Sequence, residues 1–150
     1  MPALLVENLA KTFPRSSGLF GRSSPGVRAV RPISFEVKTG ETLGVVGESG
    51  CGKSTLARML VGLLEPTEGR IEIGNKALDA SDRAAFGRQI QYIFQDPISS
   101  LNPRKSIRQA MEAPLRCLTE MDAAARDQRI RDVFAAVRLR EGFLERYPHE

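Results

Sequence analysis

The residues Gly47-Glu48-Ser49-Gly50-Cys51-Gly52-Lys53-Ser54 have the types and spacing to hold a phosphate chain. They follow the pattern G-x-x-x-x-G-K-[ST], in which glycines let backbone amides close around phosphate oxygens without side-chain clashes. Successive N–H groups turned inward make a concave anion site. A helix starting near Lys53 adds the positive end of its dipole. Lys53 is then a mobile cation for β- and γ-phosphates, and the Ser54 hydroxyl is the expected Mg²⁺ ligand. Thr55 stands where it can donate to an α-phosphate. Glu48 and Ser49 are expected to contribute backbone N–H groups only. Cys51 reads as a small filler and not a nucleophile, because no base lies near it in sequence.

Such a loop works only between a strand that ends on it and a helix that begins on it. The apolar run Thr42–Val46 supplies the expected strand, and Thr55–Leu64 the helical pattern. Upstream, Ala3–Phe13 reads as a strand. An aromatic at its end suits either packing at a core rim or a stacking platform for a nucleobase. Pro14–Gly26 (PRSSGLFGRSSPG) is a Ser/Gly/Pro-rich loop. Val27–Lys38 reads as a second strand, antiparallel to the first and broken near Pro32. Thr39-Gly40 then turns the chain toward the phosphate loop.

Downstream, Glu65–Gly69 is a turn and Arg70–Gly74 alternates like a half-buried strand. Asp79–Asp82 is placed to cap a short helix running through Arg88. Gln89–Phe94 is rich in β-formers and reads as a strand. Beyond Gln95-Asp96-Pro97 the character changes, with a turn at Leu101–Arg104 and helical periodicity over Ser106–Leu118 and Asp122–Leu139. In the latter, Ile130, Val133, Phe134 and Val137 form the apolar face. Arg126, Arg129, Arg131 and Asp132 read as a solvated one. Glu141–Tyr147 is a short last helix, stopped by Pro148.

The length of 150 residues fits one domain. Lys and Arg number 22 against 18 Asp and Glu, a net charge of +4. The two signs alternate and make no basic stripe, so no nucleic-acid partner is expected. Cys51 and Cys117 are far apart without metal-ligand spacing, which fits a reduced compartment. No apolar run approaches the ~18 residues that span a bilayer. The opening Met1–Glu7 has neither the basic nor the apolar region of a signal peptide. Membrane association is therefore expected to go through a partner.

Four segments taken together resemble the nucleotide-binding subunit of an ABC transporter. They are Val46–Thr55, Ile93-Phe94-Gln95-Asp96-Pro97, Ser99-Ser100-Leu101-Asn102-Pro103-Arg104 and Arg146-Tyr147-Pro148-His149-Glu150. The likeness is strongest to the peptide importer branch (dipeptide, oligopeptide, glutathione and nickel systems), and the Ser-Leu-Asn-Pro-Arg block is its most specific part. The resemblance implies an α/β fold: a P-loop NTPase core of ABC type with an N-terminal antiparallel β layer and part of a helical subdomain. Residues 1–96 would carry the β layer and nucleotide core, and residues 97–150 the start of the helical part.

It also implies ATP and Mg²⁺ as cofactors. Gly47, Glu48, Ser49, Gly50, Cys51, Gly52, Lys53, Ser54 and Thr55 match the Walker A loop, and Phe13 the aromatic that stacks on adenine. Gln95 matches the glutamine that touches Mg²⁺ and the attacking water, and Ser54 the other metal ligand. The implied partners are a second ABC ATPase subunit, transmembrane permease subunits meeting the region Pro97–Arg108, and indirectly an extracytoplasmic solute-binding protein. The implied location is the cytoplasmic face of the inner or plasma membrane, peripheral through the permease.

The family's signature segment would begin directly after Glu150. Its Walker B acid, D-loop and switch His are not among these residues, and His149 belongs to the segment before the signature. The expectation for the 150 residues alone is ATP binding without turnover. Arg31 stands where relatives commonly carry an acidic residue. One competing reading is a non-transport ABC ATPase of DNA repair or translation, which would carry coiled-coil or zinc insertions after Gln95, and Ser99–Arg104 shows neither. The other is an inactive truncated remnant.

Overall fold

The computed structural model describes residues 2–14, 26–74, 76–77 and 82–150, except the side chains of Arg83 and Phe86. The expected loop over residues 15–25 and the capping residues 79–81 lie outside these. The chain forms two compact units, residues 1–91 and 92–150.

The first unit is built on an antiparallel sheet of order β2-β1-β3-β4: β1 Pro2–Phe13, β2 Val27–Lys38, β3 Glu68–Ile73 and β4 Lys76–Ala77. Helix α1, Lys53–Leu60, packs Leu56 and Met59 against Val6 and Leu9 of β1, Val30 of β2 and Ile71 of β3. Val6 and Leu9 are three residues apart, so in a regular strand they would face opposite sides. Asn8 at φ 48 inserts an extra residue, and both register ladders of β1 shift there. The bulge returns Leu9 to the core side. The Asn8 amide donates to Ser34 Oγ at 2.8 Å. Opposite it, a Cβ on Gly69 (φ +88) would stand 2.4 Å from the carbonyl oxygens of Glu7 and Asn8, so only glycine fits. Helix α2, Arg83–Gln89, is capped by Asp82, whose Oδ1 accepts from the Ala85 amide at 2.9 Å.

Three expectations are corrected here. Pro32 does not break β2. Three residues of β2 cover two of β1 between the pairs Leu9↔Ile33 and Lys11↔Val30, and a bulge on an edge strand tolerates a residue without an N–H. The helix after the phosphate loop stops at Leu60, not Leu64. Gly62 adopts φ 70, and the Leu63 and Gly62 amides donate back to the Arg58 and Met59 carbonyls at 2.9 and 3.1 Å, closing the end. Finally, neither Thr42–Val46 nor Gln89–Phe94 is a strand among the described residues. Leu43, Val45 and Val46 are 47%, 49% and 91% exposed. A continuous apolar run is the pattern of a strand buried on both faces, and it becomes one only where neighbouring strands supply its hydrogen bonds.

The second unit has helices α3, Ile107–Leu118, and α4, Ala123–Ala136, and a 3-10 helix at Glu141–Glu145. Ser106 and Gln109 form a reciprocal capping box at the start of α3, and Asp122 Oδ1 accepts from the Ala125 amide at 2.8 Å at the start of α4. Ile130, Phe134 and Leu144 are the core, with Ile107, Met111, Leu115 and Phe143 packed around them. Tyr92 and Phe94, expected in a strand, meet edge to face with centroids 4.6 Å apart.

The charged face of α4 is not simply solvated. Arg131 bridges Asp127 (2.9 Å) and Glu141 (2.6 Å), Arg108 reaches Asp127 and Glu145, and Arg126 reaches Glu112 at 3.2 Å. These ion pairs tie α4 to α3 and to the 3-10 helix. The hydrogen bond from Arg131, reinforced by the charges of Arg131 and Arg108, holds the Asp127 carboxyl below the usual carboxylate range. Its folded value lies below its unfolded one, so its contribution to stability is present above about pH 4 and is lost as pH falls through the folded value. Asp127→Asn is therefore expected to flatten the acid limb of a pH–stability curve below about pH 4. A limb unchanged by the substitution would remove Asp127 from the account.

Helix α4 ends like α1, with the Leu139 and Arg138 amides donating to the Phe134 and Ala135 carbonyls at 2.9 Å each. Here, however, Arg138 holds the left-handed position, at φ 59, that Gly62 fills after α1. Arg138→Gly removes the Cβ strain and is expected to stabilise the second unit by roughly 0.5–1 kcal/mol, net of the unfolded-chain entropy. Urea denaturation checks this, and an unchanged or lowered midpoint goes against it.

Candidate functional site

The loop 47–52 leaves β2 behind through a turn at Lys38–Glu41, closed by the Glu41 amide to the Lys38 carbonyl at 3.0 Å. It enters α1 at Gly52, which is the N-cap and sits at φ 101. A Cβ there would stand 2.4 Å from the Ala29 carbonyl oxygen and 3.3 Å from Val30 Cγ2. The start of α1 is thus pressed directly on β2, a contact that any side chain at 52 would prevent. Gly50 is also left-handed, at φ 83, and the Cys51 amide donates to the Glu48 carbonyl at 3.3 Å, which sets the curl of the loop.

Lys53 is the first residue of α1 and folds back over the loop. Its Nζ donates to the carbonyls of Gly47 (2.7 Å) and Glu48 (2.6 Å) and lies 3.6 Å from Cys51 Sγ. Among the described residues, no acceptor faces the amides of Lys53, Ser54 or Thr55 in the first turn, and the exposed Ser54 hydroxyl has no partner. The set fits a polyphosphate with its divalent cation. Unpaired amides and the helix dipole face an anion, an ammonium closes the loop, and a hydroxyl at the helix start is free to ligate a hard cation.

A cavity of about 590 Å³ opens beside the loop. It is lined by β2 from Val27 to Ile33, by Val45 and Val46, and by Gly50 to Lys53 and Leu56. Phe13 lies at the end of β1, paired in register with Val27, and the residue is 39% exposed. The Lys11 ammonium stands 5.4 Å from its centroid and donates to the Glu65 carbonyl at 2.6 Å. The structure therefore brings Phe13, through its register with Val27, to the same sheet end as the cavity wall. The β2 residues of that wall escaped the sequence reading, since strand register alone sets them beside the loop.

Gln95 belongs to the second unit, in the exposed bend before Pro97. The segment after it is held by short-range bonds. The Asp96 carboxylate accepts from the Ser99 amide at 3.3 Å, and Ser100 Oγ donates to the Pro97 carbonyl at 2.6 Å. Asn102 Oδ1 accepts from the Arg104 amide at 2.9 Å. These turns leave Ile98 66% exposed, and Ile93 and Leu101 exposed with it.

The family model described as "ABC transporter" matches residues 30–149. The chain belongs to the ABC transporter family. Among curated relatives, it is 42% identical over 98% of its length to the oligopeptide transport ATP-binding protein AppF of Bacillus subtilis, covering 46% of that protein. It is also 42% identical over 97% of its length to SapF of Escherichia coli K12, the ATP-binding protein of a putrescine export system, covering 54% of it. The chain thus spans about half the length of the curated relatives it matches. Among solved structures, the ABC cassette MJ0796, a dimer in a post-hydrolysis state bound to ADP and Pi, superposes with a TM-score of 0.76. It is 25% identical, over 97% of this chain and 62% of that one. An antiparallel β sheet plus helices is consistent with part of an α/β ABC core. None of its described helices is long and apolar enough to cross a membrane.

Proposed function

We propose that these residues form the phosphate- and base-binding part of an ATPase subunit that drives transport of peptides or similar small solutes. The observation that carries this is the start of α1, where three unpaired amides, the Ser54 hydroxyl and the Lys53 ammonium converge at the mouth of the loop. In this reading the loop amides of 47–55 hold the β- and γ-phosphates, and Lys53 leaves the Gly47 and Glu48 carbonyls to neutralise them. Ser54 ligates Mg²⁺, Phe13 stacks on adenine, and Gln95 senses the metal and the attacking water. Residues 1–96 act as the nucleotide core and 97–150 as the helical part. The exposed apolar bend within Pro97–Arg108 docks on a membrane subunit, and a second ATPase subunit closes the site. The subunit sits at the cytoplasmic face of the membrane, peripheral through the permease, and an extracytoplasmic solute-binding protein acts on it indirectly through that permease.

Among the described residues, none near the loop stands as a Walker B acid or a general base for water. The 150 residues by themselves are therefore proposed to bind ATP weakly without turning it over. Calorimetric titration of the purified chain with Mg·ATP should show saturable binding, with no phosphate release above background. Hydrolysis at ~1 s⁻¹ or faster that Lys53→Ala abolishes would sink the second half of this reading, and absence of binding at millimolar ATP would sink the first. The 42% identity to a putrescine export protein favours a second cargo class. Labelled dipeptide uptake and putrescine efflux, compared in cells with and without the gene, decide between the two.

A further inference from the structure

We infer that Arg28 is a further nucleotide-binding residue, a guanidinium set between the phosphate end and the base end of the ligand. This rests on the reading that a nucleotide fills the phosphate loop. Two neighbours of Arg28 in β2 fix its place. On one side, the Ala29 carbonyl lies against Gly52, where the loop enters α1. On the other, Val27 pairs in register with Phe13. Those two positions are roughly 7 Å apart along the strand, about the reach of a ribose with its 5′-phosphate. A ligand running from the loop to the Phe13 ring therefore passes Arg28.

Three further observations agree. Arg28 lines the 590 Å³ cavity together with Val27, Gly50, Cys51, Gly52 and Lys53. Lys11↔Val30 is followed by Thr12↔Arg28, so two residues of β2 advance against one of β1, and the resulting bulge re-aims side chains there. Finally, Arg28 is exposed and has no carboxylate partner among the described residues, so its guanidinium is available to an anion in the cavity. Arg31 also lines the cavity, but it lies on the side of Ala29 away from Phe13 and outside the ligand's span. A planar guanidinium in this position suits charge-assisted bonding to an α-phosphate oxygen.

The test uses the whole chain and two probes, ATP and inorganic pyrophosphate. Pyrophosphate occupies the β/γ end alone. Arg28→Ala should weaken ATP binding about tenfold while leaving pyrophosphate within twofold, and Arg28→Lys should restore most of the ATP affinity. Arg28→Gln, close in size, repeats the comparison if the alanine variant folds poorly. ATP affinity within twofold of the parent in these neutral variants overturns the inference, as does an equal loss for both probes. A parent chain that binds neither probe overturns the nucleotide reading itself. Binding that Lys53→Ala abolishes and Arg28→Ala leaves intact overturns only the role of Arg28.

Discussion

Lys53→Ala is expected to weaken Mg·ATP binding by about a hundredfold or more, the loss of two charge-assisted contacts to the terminal phosphates. The ammonium already sits at the mouth of the loop, 2.6 and 2.7 Å from two carbonyls. Those carbonyl contacts make part of its role structural, because they hold the curl of residues 47 and 48. The two roles separate in experiment. Loss of phosphate contacts lowers affinity for ATP and pyrophosphate alike and leaves the melting curve in place, whereas loss of the loop's curl also loosens amide protection around Leu56. An ATP dissociation constant within threefold of the parent would remove Lys53 from the site.

Met59→Ala carries the largest expected stability change. Met59 is fully buried on α1 and joins β1, β2 and β3 through Val6, Leu9, Val30 and Ile71. Truncation leaves a cavity where four elements meet and should cost about 2–5 kcal/mol, much of the ~5–15 kcal/mol that holds an ordinary domain. Both tyrosines, Tyr92 and Tyr147, belong to the second unit and the chain has no tryptophan, so aromatic fluorescence does not watch this core. Hydrogen exchange at the amides of Val6 and Ile71 does. A protection loss below about 1 kcal/mol would mean that α1 is not what closes the sheet.

Much of the architecture is legible in residue order. The alternation of Arg70–Ile73, the two helices that follow Ser106 and Asp122 and most of the apolar face of α4 all act within a few residues, and each appears where its local chemistry demands, whereas the turn expected over Glu65–Gly69 ends early, since β3 already begins at Glu68. Val137 is the exception on that face. It is the C-cap, one residue past the end of α4, and 59% exposed, next to Arg138, a left-handed arginine that no pattern announces. The charges of Arg126 and Arg131 look solvated in sequence, since their partners Glu112 and Glu141 come from other segments.

The sequence by itself pointed to the family and marked residues 47–55 as its candidate phosphate loop. The pattern of glycines, a lysine and a hydroxyl is local, so residue order alone displays it. It also marked Phe13 and Gln95 as residues to watch. Only the tertiary structure decided what stands beside that loop. The bulges of β1 and β2 and the close contact of Gly52 on Ala29 bring Val27, Arg28 and the Phe13 end of the sheet alongside it, because strand register is a pairing between distant segments. The apolar runs Thr42–Val46 and Gln89–Phe94 make the same point from the other side. Their composition states the environment they require, and a strand exists only where neighbours provide it.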